Sequence, residues 1–230
     1  IKLKTEQDIK VLRESAKRLS HVLDAVSKEV KPGVTTGYLN DFVYKMITEM
    51  GDTPAFLDYK PFGADYPYPG SICISVNDEV VHGIGGDRVL KEGDIVGLDG
   101  GVKHKGMISD SARTVAVGKI SKEDEALLEV TKAALMAGIK AAKCGNYVND
   151  ISCAIEKSIP KRLCFSIFRC FIFPFLCKRS CTSAYFIPRE SHMLRLYQFC
   201  LFLNGKSFDI IVLYFSLLDK KILKSLYLWI

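Results

Sequence analysis

Three side chains in the middle of this sequence could do chemistry together: His82, Asp99 and Asp110. The two aspartates are eleven residues apart, each inside a β-like run, with a turn between them. A carboxylate in a strand is partly desolvated, so an acid interrupts a strand only at a cost, and two of them with a turn between suggest a built site. The pattern reads as half of a dinuclear metal site. With the turn centred between His104 and Lys105, Val102 faces Met107, Gly100 faces Ser109 and Asp99 faces Asp110. The aspartate Cβ atoms would then be about 5 Å apart on one face. Two bare carboxylates so placed repel, and one takes up a proton. A divalent cation removes that conflict and uses oxygen ligands well. Two such ions, about 3.5–4 Å apart, would activate a shared water. The competing reading puts both acids at strand ends, in solvent or paired with Lys103 or Lys105. Gly97, Gly100 and Gly101 weigh against it by clearing bulk around Asp99.

His82 follows Val80-Val81 and precedes Gly83. A lone histidine there is either structural or a group that meets a substrate amide near neutral pH. Gly83, Gly85 and Gly86 let a ligand approach the backbone. They form no phosphate cradle, because GIGGDR lacks the dinucleotide fingerprint.

The elements that must position these residues are legible around them. Thr5 followed by Glu6, Gln7 and Asp8 opens a helix, expected from Glu6 to Val30 with an apolar face from Ile9 to Val26. Pro32-Gly33 stops it, Thr35 or Thr36 caps a second helix over Gly37 to Met50, and Gly51 closes that one. Residues 52–70 read as a proline-rich loop whose Tyr59, Tyr66 and Tyr68 either line a pocket or pack the loop onto the core. Strands are expected at Ile72–Val76, Ile95–Val102 and Met107–Val117, the last two joined by the turn Lys103-His104-Lys105-Gly106. Ser121 with Glu123 and Asp124 opens a third helix running to Ala142, and Val148–Lys157 begins a fourth. The pattern is mixed α/β, of the α+β kind.

Charge and composition divide the 230 residues into two parts. Residues 1–160 hold 21 Lys/Arg and 23 Asp/Glu, whereas residues 161–230 hold 11 and 3. Glycine splits 16 to 1 and phenylalanine 3 to 10 across the same boundary, so one domain design does not run through it. The overall charge of +6 therefore belongs to the second part and gives no basis for nucleic-acid or membrane binding. Cys73, Cys144 and Cys153 have no metal spacing and read as reduced thiols. Cys177, Cys181 and His192 in the second part lack a second ligand pair. IKLKTEQDIKVLRE has no apolar core of a secretory signal, its first residue is not Met, and no run of about 20 apolar residues suggests a membrane span. A cytoplasmic location is the expectation.

Taken together, VNDEVVHGI (76–84), LKEGDIVGLDGGV (90–102) and GMISDSARTVAVG (106–118) resemble type I methionine aminopeptidases, with KPGVTTGYLNDFV and TPAFLDYKPF fitting in order and spacing. The resemblance covers residues 1–160 and implies the N-terminal half of a pita-bread fold. Residues 161–230 do not match and read as an atypical basic Phe/Cys/Leu-rich tail not native to that fold. The resemblance implies Asp99 and Asp110 as metal ligands and His82 as the catalytic, substrate-binding histidine. It implies two divalent ions, cobalt, manganese, iron or zinc, and a metal-activated water that removes the N-terminal Met from nascent peptides. Partners would be those peptides, with transient ribosome association, no specific nucleic acid, no membrane and a monomeric state. The family's second half supplies a further metal-binding histidine, two metal-binding glutamates and a second catalytic histidine. No match for them follows here, and Glu190 and His192 take no role. A poor enzyme is therefore expected. A non-catalytic relative that binds a partner, or a proline peptidase or creatinase-like hydrolase, are the other readings.

Overall fold

Helix α1 (Glu6–Glu29) begins with a reciprocal cap. The Thr5 hydroxyl accepts from the Asp8 N–H at 3.1 Å, and the Asp8 carboxylate accepts from the Thr5 N–H at 2.9 Å. At α2 (Thr36–Glu49) the cap runs one way only, the Thr35 hydroxyl accepting from the Tyr38 N–H at 3.1 Å. The computed structural model describes residues 4–62, 64–143 and 145–160. The expected tail at 161–230 lies outside the described residues.

Among the described residues four strands follow the helical start: β1 (Thr53–Pro54), β2 (Ile72–Val76), β3 (Ile95–His104) and β4 (Met107–Ala116). All pairings are antiparallel and all involve β3. β4 lies along one edge of β3, while β2 and the short β1 share the other. No sequence pattern predicts β1, since two residues are too few for any period to register.

The alternation of β3 divides the sheet into two faces. Val96, Leu98 and Val102 point into the core, where Ile72, Ile74 and Val76 of β2 join them. Leu19, Val22, Leu23 and Val26 of α1 and Leu39, Val43 and Ile47 of α2 complete it. Each such side chain contributes about 1.5–3 kcal/mol of burial. Polar links fasten α1 to β4 across this face. Arg113 donates to Asp24 at 2.8 Å, and the Ser15 and Ser109 hydroxyls meet at 2.8 Å.

The β3–β4 turn is tighter than the sequence reading. Only Lys105 and Gly106 form it, with φ of 46° and 81°, and β3 continues through His104. Both residues are left-handed, as a two-residue hairpin loop matched to strand twist requires. The register therefore differs by two: Asp99 faces Ala112 and Asp110 faces Gly101. A shift of two keeps every side chain on its face. Asp99 and Asp110 are diagonal neighbours rather than direct partners.

His104 points to the core side, and its Nδ1 lies 2.7 Å from Asp52 Oδ1. Asp52 also accepts from Arg18 at 3.1 Å. This buried group ties α1, the end of α2 and the hairpin together. Beyond the sheet, α3 (Lys122–Ala141) and α4 (Val148–Ser158) pack on each other. No helix among the described residues is long and apolar enough to cross a membrane.

Candidate metal centre

The second face of the sheet carries the acids. Odd-numbered residues of β3 place Asp99 there, and the register puts Cys73 of β2 beside it and Ser75 opposite Gly97. Asp110 of β4 lies on the same face, opposite Gly101. Ala55 and Phe56 lie against Gly101, where an added Cβ would come within 2.9 Å and 3.0 Å of their side chains. This close approach helps to shut solvent from Asp110, which is 5% exposed. Gly100 has a different task from the one read in the sequence: it faces Ile72 and Leu19 on the core side.

The two carboxyls are close enough to set each other's protonation. Burial pushes Asp110 up to about 8, with the Asp99 charge adding to the effect. Burial also raises Asp99, against the opposing hydrogen bond from Asp110 and the nearby charge of His82. Both shifts favour the protonated form, as like charges in a low-dielectric site demand. Even so, Asp99 Oδ1 and Asp110 Oδ1 are buried with no hydrogen-bond partner. Two orphaned carboxylate oxygens on one dry face suit a hard divalent cation. The fit is one-sided: no group of three or more His, Cys, Asp or Glu that could hold a metal occurs among the described residues.

His82 sits on a loop beside this pair and is exposed, with a left-handed φ of 57°. Its neighbour Gly83 is laid against β2. The Gly83 carbonyl accepts from the Ile74 N–H at 2.8 Å, and a Cβ there would come within 2.1 Å of the Ile74 oxygen. Only glycine can follow His82 at that distance. The neck of the loop is closed by Glu79, which accepts from the Val76 N–H at 2.9 Å and pairs with Arg88. On the far side, Thr36 and Gly37 hold Gly86 through hydrogen bonds of 3.0 and 2.8 Å.

Of the three tyrosines considered from the sequence, only Tyr68 reaches this place. Its hydroxyl donates to the Gly83 carbonyl at 2.9 Å, and burial beside Cys73 and Asp99 pushes its pKa well above the ordinary tyrosine value, so the phenol stays protonated. Tyr59 and Tyr66 are 50% and 67% exposed. Cys73 was read only as a reduced thiol. Its place became visible only through the β2–β3 register, which no local pattern specifies. Burial drives its thiol up to about 12, against the Tyr68 hydrogen bond and with the Asp99 and Asp110 charges adding.

Comparison with known proteins bears on this arrangement. The methionine aminopeptidase of Aquifex aeolicus is 43% identical over 162 residues, which span 70% of this chain and 63% of that protein. Methionine aminopeptidase 1 of Bacillus subtilis is 40% identical over 166 residues, 72% of this chain and 64% of its own. The crystal structure of methionine aminopeptidase from Rickettsia prowazekii superposes with a TM-score of 0.65 at 39% identity, covering 69% of this chain and 61% of that one. The chain thus spans less than two thirds of the length of these relatives. The profile of metallopeptidase family M24 matches residues 10–196, and the mixed α/β fold is the pita-bread architecture of those enzymes. The chain belongs to metallopeptidase family M24.

Proposed function

We propose that the chain is the N-terminal part, residues 1–160, of a metal-dependent aminopeptidase that removes the N-terminal methionine from nascent peptides. One observation carries the reading: the half-buried Asp99 and the buried Asp110 share one face, each with a buried oxygen that has no partner. Relatives about 40% identical that are named methionine aminopeptidase support the substrate class. Asp99 and Asp110 would hold the divalent metal, two ions drawn from cobalt, manganese, iron or zinc. Bound there, the metal would supply Lewis-acid activation of a water. His82, on its loop beside Asp99, would bind the substrate at its scissile amide and orient it. Its exposed imidazole can donate or accept near neutral pH. Phe56 and Tyr68 would exclude water from the carboxyl pair. A cytoplasmic, monomeric protein with transient ribosome contact fits this role.

The donor set of the described residues supports a weaker version of that activity, because two carboxylates cannot fix two ions. Loss of even an outer partner that orients a ligand typically costs about 10–100-fold in metal affinity or activity, so a missing ligand sets at least that penalty. The test is methionine release from Met-Ala-Ser by the purified chain with manganese(II) or cobalt(II), beside a complete relative. Turnover at least about a hundredfold below that of the relative is expected, lost in Asp110→Asn. Equal turnover would overturn the weak-enzyme reading. Stoichiometric manganese binding that persists in Asp110→Asn would overturn the metal assignment.

A further inference from the structure

We propose that Ser75 is a positioning residue for His82, acting through the Gly83 peptide. The proposal rests on the reading of His82 as the substrate-binding histidine. Ser75 is the last β2 side chain on the face of Asp99 and Cys73. Its Oγ accepts from the Gly83 N–H at 3.2 Å. The other end of the same residue is held too: the Gly83 carbonyl accepts from the Ile74 N–H at 2.8 Å and the Tyr68 O–H at 2.9 Å.

The Gly83 N–H belongs to the peptide plane that leaves His82. Fixing that plane fixes the last backbone rotation before the imidazole. His82 needs this hold, because its φ of 57° is a conformation a side chain with a Cβ avoids. An exposed loop residue in that state would relax towards the right-handed region once its restraint is lost. Ser75 is half-buried on a face that is not the hydrophobic core, so its hydroxyl is not there for packing. A hydroxyl at this point has one evident partner, and that partner adjoins His82.

The experiment uses the full chain as Ser75→Ala, Ser75→Thr, His82→Ala and the Ser75→Ala/His82→Ala double variant, each checked for a normal thermal transition. Amide exchange of Gly83 and the imidazole resonances of His82 are read by NMR. Methionine release from Met-Ala-Ser with manganese(II) is read as kcat and KM separately. Ser75→Ala is expected to speed Gly83 exchange about five- to tenfold, as loss of one hydrogen bond implies, and to shift the His82 resonances. It is expected to lower kcat by a similar factor at nearly constant KM, with Ser75→Thr restoring both readouts. Ser75→Ala should add nothing in the His82→Ala background. Unchanged Gly83 exchange and His82 resonances in Ser75→Ala would overturn the proposal, as would an equal loss with or without His82. If His82→Ala leaves turnover unchanged, or the chain shows none, the functional reading fails. The exchange and resonance measurements then still decide whether Ser75 positions His82.

Discussion

Between an ordinary aspartate value of 3.8 and the raised value near 8, native Asp110 keeps a proton that the unfolded chain has released. The native state binds more protons over that window, so stability falls as pH rises through it and levels off above it. Without metal, the midpoint of thermal unfolding should therefore drop from pH 5 to pH 8. Asp110→Asn should flatten that slope and stabilise the metal-free chain at pH 8, by an amount of the order of 1–3 kcal/mol. A slope unchanged in Asp110→Asn would mean that Asp110 does not hold that proton. Cys73 gives a second check on the same pocket. With its thiol pushed up to about 12, it should resist iodoacetamide at pH 7.5 while the partly exposed Cys153 reacts, as peptide mapping of the native chain would read. The acids and His82 were legible from residue type, because a charge inside a strand and a histidine among glycines are local anomalies. Ser75 and Cys73 were not, because both are ordinary strand residues until pairing sets Cys73 beside Asp99 and the fold brings Gly83 onto Ser75.

At the level of elements, the hairpin shows which errors matter. A four-residue turn was expected and a two-residue turn is found, yet the aspartates stay on one face because the slip is even. An odd slip would have turned one acid into the core. Helix starts were legible because caps are written in three or four adjacent residues, as at Thr5, Thr35 and Ser121. The burial of His104 was not, since its partner Asp52 lies 52 residues away in sequence. Two measurements test these elements. Lys105 takes a left-handed φ of 46° where hairpins of this type favour asparagine, so Lys105→Asn should gain about 0.5–1 kcal/mol in urea unfolding. Asp52→Ala leaves Arg18 and His104 without their shared acceptor and should cost about 2–4 kcal/mol. If Asp52→Ala costs no more than an exposed substitution, the group does not clamp the helices to the hairpin.

For the whole molecule, the sheet is an asymmetric object. One face is filled by two helices, and the other carries the carboxyl pair with only part of a metal's donors among the described residues. How completely the chain as a whole surrounds a metal can be read from linkage, without any assay of turnover. A ligand that binds only the folded state stabilises it by RT ln(1 + [L]/Kd). A site built from two carboxylates and water should resemble weak oxygen sites, with Kd of about 1 mM. At about 5 mM manganese(II), the folded state would then gain about 1 kcal/mol. A complete site with a micromolar constant would gain about 5 kcal/mol under the same condition. We expect the smaller shift in the urea midpoint, and its disappearance in Asp110→Asn. The larger shift, lost in the same variant, would mean that residues beyond the two aspartates complete the coordination. A shift of either size that survives Asp110→Asn would place the metal elsewhere on the molecule.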